Sequence, residues 1–296
     1  MKRILLTGAT GLLGARAAAL LVPRYEVSAI VRAQPAVPVP GVRYHMLDLS
    51  RAWSAERLPE RIDAVLHLAQ STHMREFPDR ALDIYAVNLA STAVLLDYAR
   101  RAGATHFGLA STGGLYGAHS APITETAALA PPRGPLGYYF DTKRGAELLA
   151  AAYADHMKVS VLRPFFIYGA GQRASMLVPR LVDNVRSGKP TRLRGADGAR
   201  LNPVHVDDAV AVLEACVNAP EGKTVNVAGP EVISIRAMAE RVGAVLGIEA
   251  SFEREDGSAD DLVADITTMK SMVDRPLTGF STGIAAMLAG EEGAGA

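Results

Sequence analysis

RILLTGATGLLG (residues 3–14) is a short apolar run closed by three glycines, Gly8, Gly11 and Gly14, and it leads into a helical pattern, LLGARAAALLV, that lasts to Val22. An apolar run bounded by glycine suits a strand buried on both faces. The glycines allow a tight turn and let the backbone approach a pyrophosphate held on the amides of the following helix. The Gly-x-x-Gly-x-x-Gly spacing is one residue longer, between the first two glycines, than the common dinucleotide fingerprint. A turn glycine by itself says little, so the context has to come from the rest of the chain.

Working outward, EVSAIVR (26–32), VRYHMLDL (42–49) and DAVLHLA (63–69) read as strands, the first two separated by the proline-rich loop AQPAVPVPG. A long helical stretch, DRALDIYAVNLASTAVLLDYARRAG, ends at Gly103. The strand THFGLAS, a loop with four prolines, a helix carrying two tyrosines and a lysine, and the strand KVSVLR follow. This alternation predicts an α/β fold with a doubly wound, parallel Rossmann-type sheet. Beyond residue 168 the pattern is less regular, although ASMLVPRLVDNVRSG and VHVDDAVAVLEACVNA read as helical and KTVNVAG as a strand. The expected organisation is a dinucleotide-binding domain over residues 1–168 with return excursions near 203–228, and a smaller C-terminal substrate-binding lobe formed mainly by 169–296. The tail GEEGAGA is expected to fray.

The 296 residues are 49% hydrophobic and 21% charged, as in a soluble globular protein. Lys plus Arg balances Asp plus Glu at 31 each, so no net field favours nucleic acid or anionic lipid. The single cysteine, Cys216, sits in a helical apolar context and fits a reducing compartment. The apolar N-terminal stretch is interrupted by Thr7, the glycines and Arg16, unlike a signal peptide. No apolar run approaches a membrane span, and a cytoplasmic protein is expected. His67 and His205 read as core histidines, and Asp207 and Asp208 as helix-start residues. No metal site is expected.

The segment GPLGYYFDTKRGAELLA (134–150) places Tyr139 four residues before Lys143, whereas Tyr138 has Thr142 at that distance. A free phenol titrates near 10 and is a poor base at neutral pH. An ammonium one helical turn away favours the phenolate, so the spacing points to Tyr139 as the proton-moving group. LASTGGLYG supplies two hydroxyls, Ser111 and Thr112, at the end of a strand, where parallel sheets place ligands.

With HLAQ, VNLAST, STGGLYG, YFDTK, LRPFFIYG and HVDDAV in this order, nearly the whole chain resembles the extended short-chain dehydrogenase/reductase superfamily, NAD-dependent epimerase/dehydratase branch. The resemblance implies hydride transfer at a nicotinamide with Tyr139, Thr112 and Lys143 as catalytic residues, Lys143 also holding the nicotinamide ribose. It selects Thr112 over Ser111, because the hydroxyl stands four residues before the tyrosine of a Tyr-Gly pair, here Tyr116-Gly117. Ser111 is expected to bond locally. The implied cofactor set is Gly8, Gly11, Gly14, Arg32, Asp48, Leu49, Ala69, Asn88 and Lys143, with Asp48 on the adenine amino group and Asn88 maintaining backbone geometry near the active site.

The implied substrate is a nucleotide sugar, held with Thr112 by Arg200 and Arg254, but two positions depart from the pattern. Phe166 stands where sugar-nucleotide members commonly have an asparagine. Leu201 stands where they have an arginine, with Arg200 one residue earlier and so on the opposite face of a strand. Lys189, Arg192 and Arg194 form a further basic cluster. The cofactor is expected to be NAD(P). At the adenosine end no carboxylate lies between Val27 and Asp48, and the second strand ends Val31-Arg32, which points towards NADP. Three functions stay open: epimerisation through a keto intermediate, net carbonyl reduction by NADPH, and a non-catalytic dinucleotide sensor. A homodimer is a further expectation.

Overall fold

The computed structural model describes residues 1–131 and 134–294; Pro132 and Arg133, and the last residues of the tail, lie outside them. The chain opens with β1 (Arg3–Thr7), α1 (Leu12–Leu21), β2 (Glu26–Val31), β3 (Arg43–Met46) and β4 (Ala64–His67). One helical run then comprises α2 (Ala81–Tyr85), a π-helical turn (Ala86–Ala90) and α3 (Ser91–Arg101). It is followed by β5 (His106–Ala110), α4 (Gly137–Ala151) and β6 (Lys158–Pro164). The remainder comprises β7 (Ile167–Tyr168), α5 (Leu177–Arg186), β8 (Thr191–Arg194), β9 (Arg200–Leu201), β10 (Val204–His205), α6 (Val206–Asn218) and β11 (Thr224–Val227). It closes with β12 (Ile233–Ser234), α7 (Ile235–Leu246), β13 (Phe252–Glu255), α8 (Thr267–Met272) and α9 (Phe280–Ala294).

The central sheet has seven strands in the order β11-β6-β5-β4-β1-β2-β3, the Rossmann-type arrangement expected from the alternating pattern. The pairs among β1 to β6 are parallel, for example Leu6 opposite Ala29 and Leu66. Every residue of β4 and β5 is buried, which explains their continuous apolar sequences. Leu5, Val65, Phe107, Leu95 and Leu96 share one core with Ala146 and Ala150 of α4. The order reverses between β1 and β4, so their C-terminal ends flank the switch point at which open α/β sheets bind ligands.

Two compact units result. The first is Met1–Leu115, Leu129–Arg163 and Val210–Val225; the second is Tyr116–Ala128, Pro164–Ala209 and Asn226–Ala296. The second unit has its own core, around Tyr168, Leu181, Val182, Met238, Val242 and Phe280, and three two-stranded pairings, β7/β10, β9/β12 and β8/β13. The segment 116–128 is anchored there: Ile123 N–H donates to Val263 O, and Asn226 Nδ2 donates to Ile123 O. Among the described residues no helix is long and apolar enough to cross a membrane.

Candidate active site

The three glycines at the end of β1 are glycine for different reasons. Gly8 has φ +72°, and a Cβ there would stand 2.8 Å from Ala69 N, where the turn passes the end of β4. A Cβ on Gly14 would sit 2.1 Å from Gly8 O, so only glycine lets α1 close on the turn. Gly11 is different: the nearest protein atom to a Cβ is Gly8 O at an ordinary 3.4 Å, and its φ is −86°. It is the N-cap of α1, which begins with no side-chain cap and no acidic residue in its first turn. A Cβ at this position would meet the protein only at ordinary contact distance, so the glycine leaves the α1 amides open to an approaching phosphate. The turn therefore fits a dinucleotide pyrophosphate.

At the adenosine end, β2 closes with buried Val31, and exposed Arg32 follows it. Asp48 is folded into its own turn, Oδ1 accepting from Ser50 N–H at 3.0 Å and Ser50 Oγ–H at 2.7 Å. Those hydrogen bonds, with Arg51 and Arg32 nearby, outweigh burial and hold its carboxyl below the usual range. Leu49 is buried in the first core, and Ala69 N–H donates to Thr7 Oγ at 3.0 Å.

In α4, Tyr139 is 6% exposed and Lys143 2%. The phenol donates to Gln70 Oε1 at 3.2 Å. Burial pushes it up to about 12, and a hydrogen bond from the Thr112 hydroxyl pulls the other way. The expectation that Lys143 depresses this phenol is corrected by the structure: burial is the main influence on it, with Thr112 opposing. Lys143 Nζ instead donates to Ala110 O at 2.8 Å. Burial lowers the ammonium to about 8, with Glu147 opposing. Thr112 Oγ also accepts from Gly114 N–H at 3.1 Å, which fixes the hydroxyl at the end of β5. Tyr138 points elsewhere, its ring stacked on Phe77 with centroids 4.6 Å apart. Ser111 donates to Glu147, whose carboxylate also receives Arg163 Nη2 at 2.6 Å and Nε at 3.0 Å.

A buried polar network ties the π-helical turn to these groups. Asn88 Oδ1 accepts from Ser71 N–H at 2.9 Å, and Asn88 Nδ2 donates to Thr142 Oγ at 3.0 Å. Thr142 Oγ–H in turn donates to Tyr139 O at 2.7 Å. His67 is neutral, held down at about 3 by burial and by Lys143. It accepts at Nδ1 from Thr7 Oγ–H at 2.7 Å, because Thr7 Oγ already receives Leu68 and Ala69 N–H. Its Nε2–H donates to Thr92 Oγ at 3.1 Å, whose own proton goes to Asn88 O. The core reading of His67 thus becomes a specific one: a bridge from β1 to the helix that carries Asn88.

In the second unit Leu201 is buried and Arg200 faces the opposite way, its Nε on Asp261 Oδ2 at 2.8 Å. Arg200 therefore does not take over the inward position of an arginine at 201. Arg254 is exposed on β13. Lys189, Arg192 and Arg194 pair with Asp183, Glu253 and Glu255, a solvated ion-pair surface. Asp208, read as a helix-start residue, is fully buried and spends its carboxylate on Arg275 Nη1 at 2.7 Å and Thr278 N–H at 2.7 Å. Phe166 has φ +51°, a backbone conformation unusual for a bulky residue, and is 36% exposed.

A Rossmann sheet with this glycine turn and a Tyr-x-x-x-Lys helix beside the end of β5 defines an enzyme of the extended short-chain dehydrogenase/reductase class. The model of the NAD dependent epimerase/dehydratase family matches residues 4–228, and the chain belongs to that family. Among curated proteins it is 27% identical to an uncharacterized UDP-glucose epimerase of Bacillus subtilis (strain 168), covering 77% of this chain and 73% of that protein. It is 26% identical to a UDP-glucuronate 4-epimerase of Thermodesulfobacterium geofontis (strain OPF15), covering 78% and 73%. The UDP-glucuronic acid 4-epimerase of Bacillus cereus, solved with UDP-glucuronic acid and NAD, shares the fold with a TM-score of 0.84 at 23% identity, over 99% of both chains.

Proposed function

We propose that the protein epimerises a nucleotide sugar through a keto intermediate. The observation that carries this reading is a buried phenol, Tyr139, facing the Thr112 hydroxyl, with an ammonium one helical turn along α4. Thr112 hydrogen-bonds the reacting oxygen and Tyr139 moves its proton. An oxidised nicotinamide, when bound, would supply reversible hydride acceptance and a positive charge. That charge would offset the burial that holds the phenol protonated. The Lys143 ammonium orients the nicotinamide ribose, Gly11 leaves room for the pyrophosphate, and Asp48 with Leu49 and Ala69 lines the adenosine side. Arg254 holds the substrate diphosphate. The relatives named above support the substrate class, since their names carry UDP-sugars.

A second reading, net reduction of a carbonyl compound by NADPH, is favoured by Arg32 at the end of β2 and by Phe166 and Leu201 at positions where the sugar-nucleotide pattern has polar residues. Release of tightly held oxidised dinucleotide on denaturation, read by mass spectrometry, separates the two: it is expected for the epimerase and not for the reductase. Tyr139→Phe tests the site common to both. Turnover should fall by about 10²- to 10⁴-fold with dinucleotide binding retained. Tyr138→Phe should be nearly silent, and the reverse pattern would refute the assignment.

A further inference from the structure

Gln70 follows Ala69 directly after β4, where the pattern that HLAQ resembles has a second alanine. It is exposed, yet its amide oxygen accepts the hydrogen bond of the buried Tyr139 phenol at 3.2 Å. We infer that Gln70 is a positioning residue that holds the Tyr139 phenol protonated and sets the pH at which its phenolate forms. An acceptor on the phenol stabilises only the protonated form, because the same oxygen repels a phenolate. Thr112 acts in the opposite sense, its hydroxyl lowering the phenol. The phenol therefore sits between one group that favours its proton and one that favours its loss.

The charged and titratable groups around this position are committed elsewhere. Lys143, on α4 itself, donates to Ala110 O, and Glu147 is paired with Arg163 of β6. From β4, His67 is neutral. From α2, the Asp83 carboxylate receives Ser71 Oγ–H. Gln70 is thus the neutral lever through which the first unit tunes the phenol without adding charge. In the epimerase reading, a phenol kept protonated is the acid that returns a proton to the keto oxygen. An alanine at this position would leave burial alone to keep the proton on the phenol, against Thr112.

The inference rests on the acid–base reading of Tyr139, and the experiment separates the two. Gln70→Met keeps the length and cover of the side chain and removes the acceptor; Gln70→Leu is the second apolar variant should the first fold poorly. Two readouts are taken on the protein saturated with NAD. One is the pH dependence of kcat/KM for UDP-glucuronic acid. The other is phenolate absorbance, with Tyr139→Phe protein subtracting the other tyrosines. Loss of the acceptor should move the Tyr139 midpoint down by about half to one pH unit, and the acidic limb of kcat/KM with it. Gln70→Glu should move both up. Unchanged midpoints in the folded apolar variants would overturn the inference and leave Gln70 as a cover only. A Tyr139→Phe enzyme that keeps its turnover while the absorbance midpoint still shifts would instead overturn the acid–base reading.

Discussion

Lys143 illustrates a site built at the expense of the fold. Its ammonium is lowered from 10.5 to about 8, chiefly by burial. A lysine whose folded pKa lies below its unfolded value destabilises the folded chain, fully so below about 8, and the penalty is relieved as pH rises from 8 towards 10.5. The shift corresponds to a penalty of roughly 3 kcal/mol at pH 7, falling to roughly 2 kcal/mol at pH 9. Lys143→Met removes the charge and keeps most of the volume, but forfeits the hydrogen bond to Ala110 O, worth about 1 kcal/mol. The variant should therefore be more stable than the natural protein by about 1–2 kcal/mol at pH 7, a rise of a few degrees in Tm, while losing its activity. Thermal unfolding of both proteins at pH 7, 8 and 9 is the assay. The difference between them should shrink by about 1 kcal/mol over that range. Other groups that titrate on unfolding, such as the buried Cys216 thiol, pushed up to about 11, are common to both proteins and cancel. A variant less stable than the natural protein at pH 7, or a difference that does not shrink by pH 9, would refute the reasoning.

Gly11→Ala should weaken dinucleotide binding at least 10-fold, measured by calorimetry, with little change in Tm. Gly14→Ala should not fold to the same structure, because its methyl would meet Gly8 O at 2.1 Å. Arg32→Ala should lose roughly 10-fold or more in affinity for NADP and little for NAD, as expected for one charge-assisted contact; tighter NAD binding by the natural protein and no effect of the substitution would remove the NADP reading. Arg254→Ala should raise KM for a sugar nucleotide more than it lowers kcat, since a diphosphate contact is remote from the reacting carbon.

The sheet was legible because strands buried on both faces must be continuously apolar, and DAVLHLA and THFGLAS are. The Tyr139–Lys143 pair was legible because four residues is one helical turn. Its electrostatics were not: spacing counts neighbours, whereas the phenol and ammonium respond first to burial, which depends on what the whole first unit packs over them. The link from Asn88 through Thr142 to Tyr139 O was hidden for a similar reason, since Asn88 and Thr142 are far apart in sequence and meet only when the π-helical turn aims the asparagine at α4. Glu147 offered a signal that could have been read, one turn beyond Lys143, and Arg163 offered none until β6 was placed beside β5. The opposite facing of Arg200 and Leu201 followed from strand alternation once β9 was located.

The chain changes unit after Leu115, Ala128, Arg163, Ala209 and Val225. During synthesis, then, the first unit is complete only once residue 225 has emerged, by which point two of the three segments of the second have been made. The first lacks β11 and most of α6 until residue 225 has emerged, and the second holds only its first segment, 116–128, until after Arg163. Neither unit corresponds to a continuous stretch of gene. A single crossover between two relatives placed between residues 116 and 225 would hand each unit a mixture of parental segments, so a swap that keeps one unit whole has to fall outside that stretch.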